Sequence, residues 1–334
     1  MNLQIENNNK LELLPCKDNN EWDTLLSQSN QNNVFMKSKY LESQETDGFR
    51  RILHKNGNPI IGLLLNSDLL ENELSHVYNY STYHSIFLIS KKNIGYSTDL
   101  EIIEQLGCLT QIFDKFSINC NLSLHHSLLD IRGIEWYFYA NQTRLNFKYD
   151  VKYTGIIETS KFKDFDEYLK SIRNVRLQQF KKGKLVTNLR IVESTSVEEF
   201  CRIYRLTFKK HDKTISEDKI ALVRSIIASG LKYGYGKLYL LVTDSETAIS
   251  GIFILKDQKT DYYQFGANDP AFLNKNGSTI LLLHAIKESF DSGQKNFDMV
   301  GMNSPLRGEF KASFNARSVP YFEIKFSQKL PAYN

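Results

Sequence analysis

Residues 296–315 read NFDMVGMNSPLRGEFKASFN, and the chain around them reads as one repeating order of elements. Asn296 to Val300 is a short strand pattern, and Arg307 to Phe314 has the spacing of a short helix before a last strand at Tyr321 to Phe326. Upstream, Gly277-Ser278-Thr279 opens an apolar helix that runs through Phe290 and stops near Gly293. Leu282, Ile286 and Phe290 recur every four residues, and Ile280 and Leu283 widen that face, so the helix packs deeply on a sheet. A helix that crosses over between two strands makes them parallel, so the strand at 296–300 is expected to run parallel to the one before the helix, Asp261 to Ala267. Two further β-rich runs, Lys237 to Thr243 and Ile249 to Leu255, flank Asp244, Ser245 and Glu246, which is hairpin chemistry.

The first half follows the same order. Arg50 to His54 and Pro59 to Leu65 flank Lys55-Asn56-Gly57-Asn58, a strong hairpin turn because Asn-Gly tolerates positive φ at both central positions. A strand at Ser85 to Ser90, a helix at Asp99 to Phe116 and a strand at Asn121 to Leu124 follow. Meander, helix and strand thus occur twice, which suggests two copies of one mixed α/β unit, residues 1–150 and 151–334.

With 334 residues, 41% hydrophobic and 24% charged, the chain can bury a sizeable core, and disorder as its main state is excluded. The longest apolar runs, Ile60 to Leu65 and Ile280 to Leu283, fall far short of the ~18 to 20 residues of a membrane-spanning helix. The opening thirty residues carry no basic patch followed by an apolar stretch, so a cytoplasmic location is expected. Cys16, Cys108, Cys120 and Cys201 are scattered without a C-x-x-C pair, which reads as reduced thiols and no structural metal.

Charge divides unevenly. Residues 1–150 hold 13 Lys and Arg against 18 Asp and Glu, whereas residues 151–334 hold 29 against 20. A basic second half points to an anionic ligand, either nucleic acid or a phosphate-bearing small molecule. Its richest stretch carries Arg173, Arg176, Lys181, Lys182 and Lys184 beside an apolar seam of Leu169, Ile172 and Leu177. This pattern predicts one basic helix over Lys163 to Lys184; a merely solvated helix face would read the same way.

From the element order and the segment quoted first, the second half resembles the GNAT acyltransferase fold. Asp298 at the strand end, Gly301, the Phe310-Lys311 pair and Phe314 are similar to the Fem-like branch, which has two GNAT-like lobes in tandem. Trp22, Phe35, the Ile172-Arg173-x-x-Arg176 helix and the strand Tyr262 to Gly266 also match. The fold class implied is α/β, mixed α+β: two lobes, each a mostly antiparallel mixed sheet flanked by helices. The superfamily's pyrophosphate loop, Gln/Arg-x-x-Gly-x-Gly/Ala, stands here as Asn274-Lys275-Asn276-Gly277-Ser278 and departs from that pattern.

The resemblance implies a coenzyme A thioester as cosubstrate and no metal. Lys275, Asn276, Gly277, Ser278 and Thr279 would hold its diphosphate, because helix-mouth amides and the helix dipole favour negative charge. A plain helix start, capped by Asn276 or Ser278, would need no ligand. In GNAT-like folds the third and fourth strands splay apart to admit the acyl-pantetheine. Tyr262, Gln264 and Asn268 then come from one strand and Asp298 and Asn303 from the end of the next. Asp298 would take a proton or orient the amine, or simply cap the turn before Gly301. Lys311 matches the Fem-like lysine that stabilises developing negative charge; a surface side chain on a short helix is the lesser alternative. Arg173, Arg176, His211 and Asn268 are the candidate acceptor contacts.

Several functions fit. The first is an N-acyltransferase moving an acyl group from acyl-CoA to the amine of a dTDP- or UDP-linked amino-deoxy sugar in surface polysaccharide biosynthesis, with the acceptor between the lobes. The second is a peptidoglycan-type transferase using aminoacyl-tRNA, as many Fem-like proteins do. A nucleic-acid or partner-binding module and a scaffold without chemistry complete the set. Residues 190–260 show no heptad insertion of the kind some tRNA-using members carry, and the basicity is slight for a tRNA binder, which favours the first.

Overall fold

The computed structural model describes residues 3–5, 10–44, 49–65, 80–89, 96–185, 188–209 and 214–329. The chain divides into two compact units: residues 1–42, 46–152 and 320–334 form the first, and residues 43–45 and 153–319 the second.

In the first unit, β1 (Leu3–Ile5), β2 (Leu11–Pro15), α1 (Asn19–Ser27), α2 (Ser38–Glu42), β3 (Phe49–Lys55), β4 (Asn58–Leu65) and β5 (Ile86–Leu88) come first. The five strands pair antiparallel in sequence order. The β3–β4 turn takes the expected form, with Asn56 at φ 50° and Gly57 at φ 78°. Then come α3 (Tyr96–Lys115), β6 (Cys120–Ser123), α4 (Arg132–Ala140) and β7 (Leu145–Glu158). Leu106, Leu109, Ile112 and Phe113 of α3 pack with Leu13, Leu53, Ile61 and Leu63 in one buried cluster. Trp22 of α1 is wholly buried, donates to the Met36 carbonyl at 2.6 Å and meets Phe87 edge-on.

The second unit adds α5 (Phe165–Ser171), α6 (Asn174–Lys184), β8 (Leu189–Ser194), α7 (Val197–Lys209), α8 (Glu217–Tyr233), β9 (Gly236–Thr243), β10 (Ala248–Lys256), β11 (Thr260–Asn268), α9 (Gly277–Asp291), β12 (Asn296–Asp298), α10 (Pro305–Ala312) and β13 (Arg317–Gln328). Strands β8 to β11 form an antiparallel meander. β12 joins β11 in parallel, as the crossover helix requires, and β7 flanks β12 antiparallel. α9 buries Leu281, Leu282 and Ile286 against Ile252 and Ile254 on one face. On the other face α7 covers β10 and β11, with Tyr204 6.0 Å from Phe265. Each unit is thus a mostly antiparallel sheet flanked by helices. Among the described residues no helix is long and apolar enough to cross a membrane.

Three elements differ from the sequence expectation. The single basic helix over 163–184 is two helices, because Ile172 and Arg173 are extended and the Arg173 N–H bonds the Ser313 carbonyl at 3.0 Å instead of continuing a helix. β7 is not anticipated by periodicity, since Lys148, Asp150 and Lys152 stand where one face of a buried strand would be apolar. The residue-150 boundary falls inside this strand, and the chain passes to the second unit at 152/153. Finally, Ile324 and Phe326 of β13 are buried in the first unit's core, so the strand that ends the second half returns to the first.

Candidate active site

The site grows from a parting of two strands. The parallel ladder of β11 and β12 has three pairs, Thr260↔Asn296, Asp261↔Phe297 and Tyr262↔Asp298. Beyond Asp298 the chain follows β7 instead: Met299 N–H bonds the Gly155 carbonyl and Met302 N–H the Tyr153 carbonyl, each at 2.8 Å. β11 meanwhile continues to Asn268, after a register slip against β10 that makes Gln264 the additional residue of a bulge. Bulges bend a strand and re-aim its side chains, and here the bend falls where the two strands separate.

Asp298 closes the ladder. It is wholly buried, and its Oδ1 accepts from the Thr154 hydroxyl and, at 2.7 Å, from Val300 N–H. This second bond shapes the turn in which Val300 takes φ 54°, a costly conformation for a β-branched residue. The turn aims the Val300 and Gly301 carbonyls at Lys311 of α10, whose Nζ donates to them at 2.6 and 2.9 Å. Burial pushes the Lys311 ammonium down to about 8, against the upward pull of Asp298. The Tyr263 ring faces this ammonium, 5.8 Å from its centre, and burial pushes the phenol up to about 12. An ammonium has three N–H groups, and two of those on Lys311 are fixed on carbonyls.

The other expected residues take varied places. Tyr262, next to Tyr263 but on the opposite face of β11, donates its hydroxyl to Asp257 at 2.6 Å in the β10–β11 turn. Asn303 clamps β7: its Oδ1 accepts from Tyr153 N–H at 2.8 Å and its amide donates to the Tyr153 carbonyl. Asn268 ends β11, tied to Ser250 and Thr207. Arg173 pairs with Glu309 on the surface. Arg176 donates to Ser313 and Gln179 and lies over the Phe310 ring at 4.6 Å. His211 lies outside the described residues.

At the mouth of α9, Asn276 adopts φ 56° and makes no side-chain cap. Gly277 is buried, and a Cβ there would lie 2.5 Å from the Ser250 Cβ, so glycine is needed for α9 to reach β10. Ser278 and Lys275 are partly exposed beside it, and the Thr279 hydroxyl donates to Gln179 at 3.0 Å. The short helix Pro270–Lys275 leads in, started by Asp269.

Residues 170–312 match the family model of the acetyltransferase (GNAT) domain. They form a GNAT domain. The segment takes in the meander, the parted strands and Lys311, and the domain is of the acyl-transferring type that the family model describes. Most of the chain's length is similar in structure to FemX, with a TM-score of 0.64 and 12% identity over 92% of this chain and 96% of that one. A tandem GNAT protein from the clavulanic acid biosynthesis pathway gives 0.53 at 7% identity, covering 97% and 100%. L-PGS from Bacillus licheniformis gives 0.52 at 9%, covering 96% and 95%. At these identities the likeness is one of fold, the tandem GNAT arrangement. No curated protein sequence matches the chain.

Sequence reasoning missed Tyr263, Thr154, Gln179 and Ser313. For Tyr263 the only signal is the Tyr-Tyr pair at 262–263, whose facing depends on strand parity that a bulge resets.

Proposed function

We propose that this GNAT protein transfers an acyl group from acyl-CoA to the amine of a nucleotide-linked amino-deoxy sugar, dTDP- or UDP-linked, in surface polysaccharide biosynthesis. The observation that carries the donor half of this reading is the parting of β11 and β12 at Tyr262↔Asp298, with Lys311 held over the gap by two carbonyls. The residues fit such a donor: the open first turn of α9 at Gly277 and Ser278 suits a diphosphate, with Lys275 as a nearby cation. Bound acyl-CoA would supply a thioester carbonyl whose oxygen gains charge during attack. The third N–H of Lys311 is the group in this chain that would meet that charge, and its confinement means little reorganisation during the reaction. Asp298 acts by holding the turn that aims those carbonyls.

The acceptor half rests on the excess positive charge of residues 151–334. Arg173 is the better candidate for an acceptor phosphate, because an exposed ion pair such as that with Glu309 is worth only about 0–1 kcal/mol and is readily exchanged. Arg176 is already committed to α10. A second reading, transfer from aminoacyl-tRNA, draws on the likeness in fold to FemX over 92% of the chain. A thermal-shift screen separates them: a short acyl-CoA at ~100 times its dissociation constant should stabilise the protein by about 2.7 kcal/mol. Stabilisation by aminoacyl-tRNA but by no acyl-CoA would favour the second reading.

A further inference from the structure

Arg176 of α6 is part-buried and, among the described residues, its side-chain hydrogen bonds go to no carboxylate, although the Glu309 charge lies near enough to act on it. Burial and the nearby Arg173 charge hold the Arg176 guanidinium below its ordinary range. Its donors go to neutral oxygens: Nε to the Ser313 hydroxyl at 2.7 Å and Nη1 to Gln179 Oε1 at 2.8 Å. The guanidinium plane lies 4.6 Å from the centre of the Phe310 ring and 5.6 Å from that of Phe314. Placing a cation so, on neutral partners and aromatic faces, is costly unless the arrangement is well satisfied.

The partners connect two distant parts of the site. Gln179 Oε1 accepts a second bond, from Thr279 Oγ1 at 3.0 Å, and Thr279 is a buried residue in the first turn of α9. The Ser313 hydroxyl, having accepted from Arg176, itself donates to the Phe310 carbonyl at 2.5 Å. Lys311 is the next residue. Thr279, Gln179, Arg176, Ser313 and Phe310 therefore form one continuous hydrogen-bonded path, and each proton in it has a single acceptor.

We propose that Arg176 and Gln179 are positioning residues that strap α10 to the mouth of α9, setting Lys311 at a fixed distance from the donor loop. The inference rests on the acyl-transfer reading for its consequence in catalysis, though the strap itself does not require it. Alignment of this kind is sensitive, since a displacement of about 1 Å at a reacting group can lower the rate on the order of 10²-fold. It also explains why a basic residue in the richest charged stretch is not free for a phosphate.

Gln179 acts only as an acceptor in both bonds, which gives a sharp test. Gln179→Glu keeps the acceptor and Gln179→Leu removes it, while Arg176→Lys keeps the charge but loses the planar fork. Lys311 is titrated in the unliganded protein by competitive trace acylation followed by mass spectrometry, which needs no enzyme activity. The wild type and Gln179→Glu should titrate near 8, whereas Gln179→Leu and Arg176→Lys should move towards 10.5 as the ammonium loosens from its site. With acyl-CoA and an accepted amine, the same two variants should lose kcat about tenfold or more while donor KM stays within about twofold. An unshifted Lys311 titration in folded Gln179→Leu overturns the strap whatever the activity. A shifted titration in a protein that uses no acyl-CoA keeps the strap and removes the transfer reading.

Discussion

The Lys311 ammonium stands 5.8 Å from the centre of the Tyr263 ring, across the gap that opens where β11 and β12 stop pairing. Two backbone carbonyls hold the ammonium on the side of the Val300 turn, and the ring closes another side. This enclosure removes water and lowers the affinity of the amine for its proton.

Replacing Lys311 by Met keeps most of the apolar stem and deletes the charge. We expect turnover to fall on the order of 10²-fold while calorimetric donor affinity changes little, because the lost interaction forms with charge that develops during transfer. Unchanged turnover would make Lys311 a purely structural clamp on Val300 and Gly301.

The two neighbouring tyrosines should separate cleanly. Tyr262→Phe deletes the hydroxyl bond to Asp257 and should lower stability by about 1 kcal/mol, seen as a lower Tm, with turnover unaltered. Tyr263→Ala opens the wall facing Lys311, so the high-pH limb of the rate profile should move upwards from about 8. A Tyr263→Ala profile identical to wild type would remove Tyr263 from the site.

Lys311 also leaves a mark on stability. Its folded value of about 8 lies below the ordinary 10.5, so between these pH values the unfolded chain holds a proton that the native protein has released. Stability from this group therefore rises with pH across that window. Chemical denaturation of wild type and Lys311→Met should show the difference shifting in favour of wild type from pH 8 to 10.5. A constant difference would show that the ammonium is not depressed in the native protein.

The mouth of α9 offers a pair of variants that distinguishes packing from binding. Gly277→Ala forces a Cβ against Ser250 and should destabilise by roughly 1–3 kcal/mol. Ser278→Asp places a carboxylate at a helix N-terminus, where the dipole favours it, so the fold should hold while donor affinity drops. Wild-type CoA affinity in Ser278→Asp would move the diphosphate elsewhere.

The second-unit sheet was legible because its signals are local: alternation over 237–267 and the four-residue spacing of Leu282, Ile286 and Phe290 report burial directly. The break between α5 and α6 was not, because Leu169, Ile172 and Leu177 keep helical spacing across it and the cause is a bond to Ser313, 140 residues away. Lys311 could be picked out from its resemblance to a known pair, but its two carbonyl partners depend on the strained Val300 turn, which no local pattern announces. Arg176 carries both kinds of signal. Its sequence surroundings point to a phosphate, and its structural partners are Ser313, Gln179 and Phe310.

The proposed transfer of an acyl group from coenzyme A to an amine is open to direct measurement. The direct measurement is free-thiol release from a short acyl-CoA in the presence of a panel of dTDP- and UDP-linked amino sugars, with wild type and Lys311→Met side by side. Wild type should release thiol in an amine-dependent way, and Lys311→Met should lower that rate on the order of 10²-fold. No release with any amino sugar, together with transfer from aminoacyl-tRNA to a lipid or muropeptide amine, would contradict the proposed transfer.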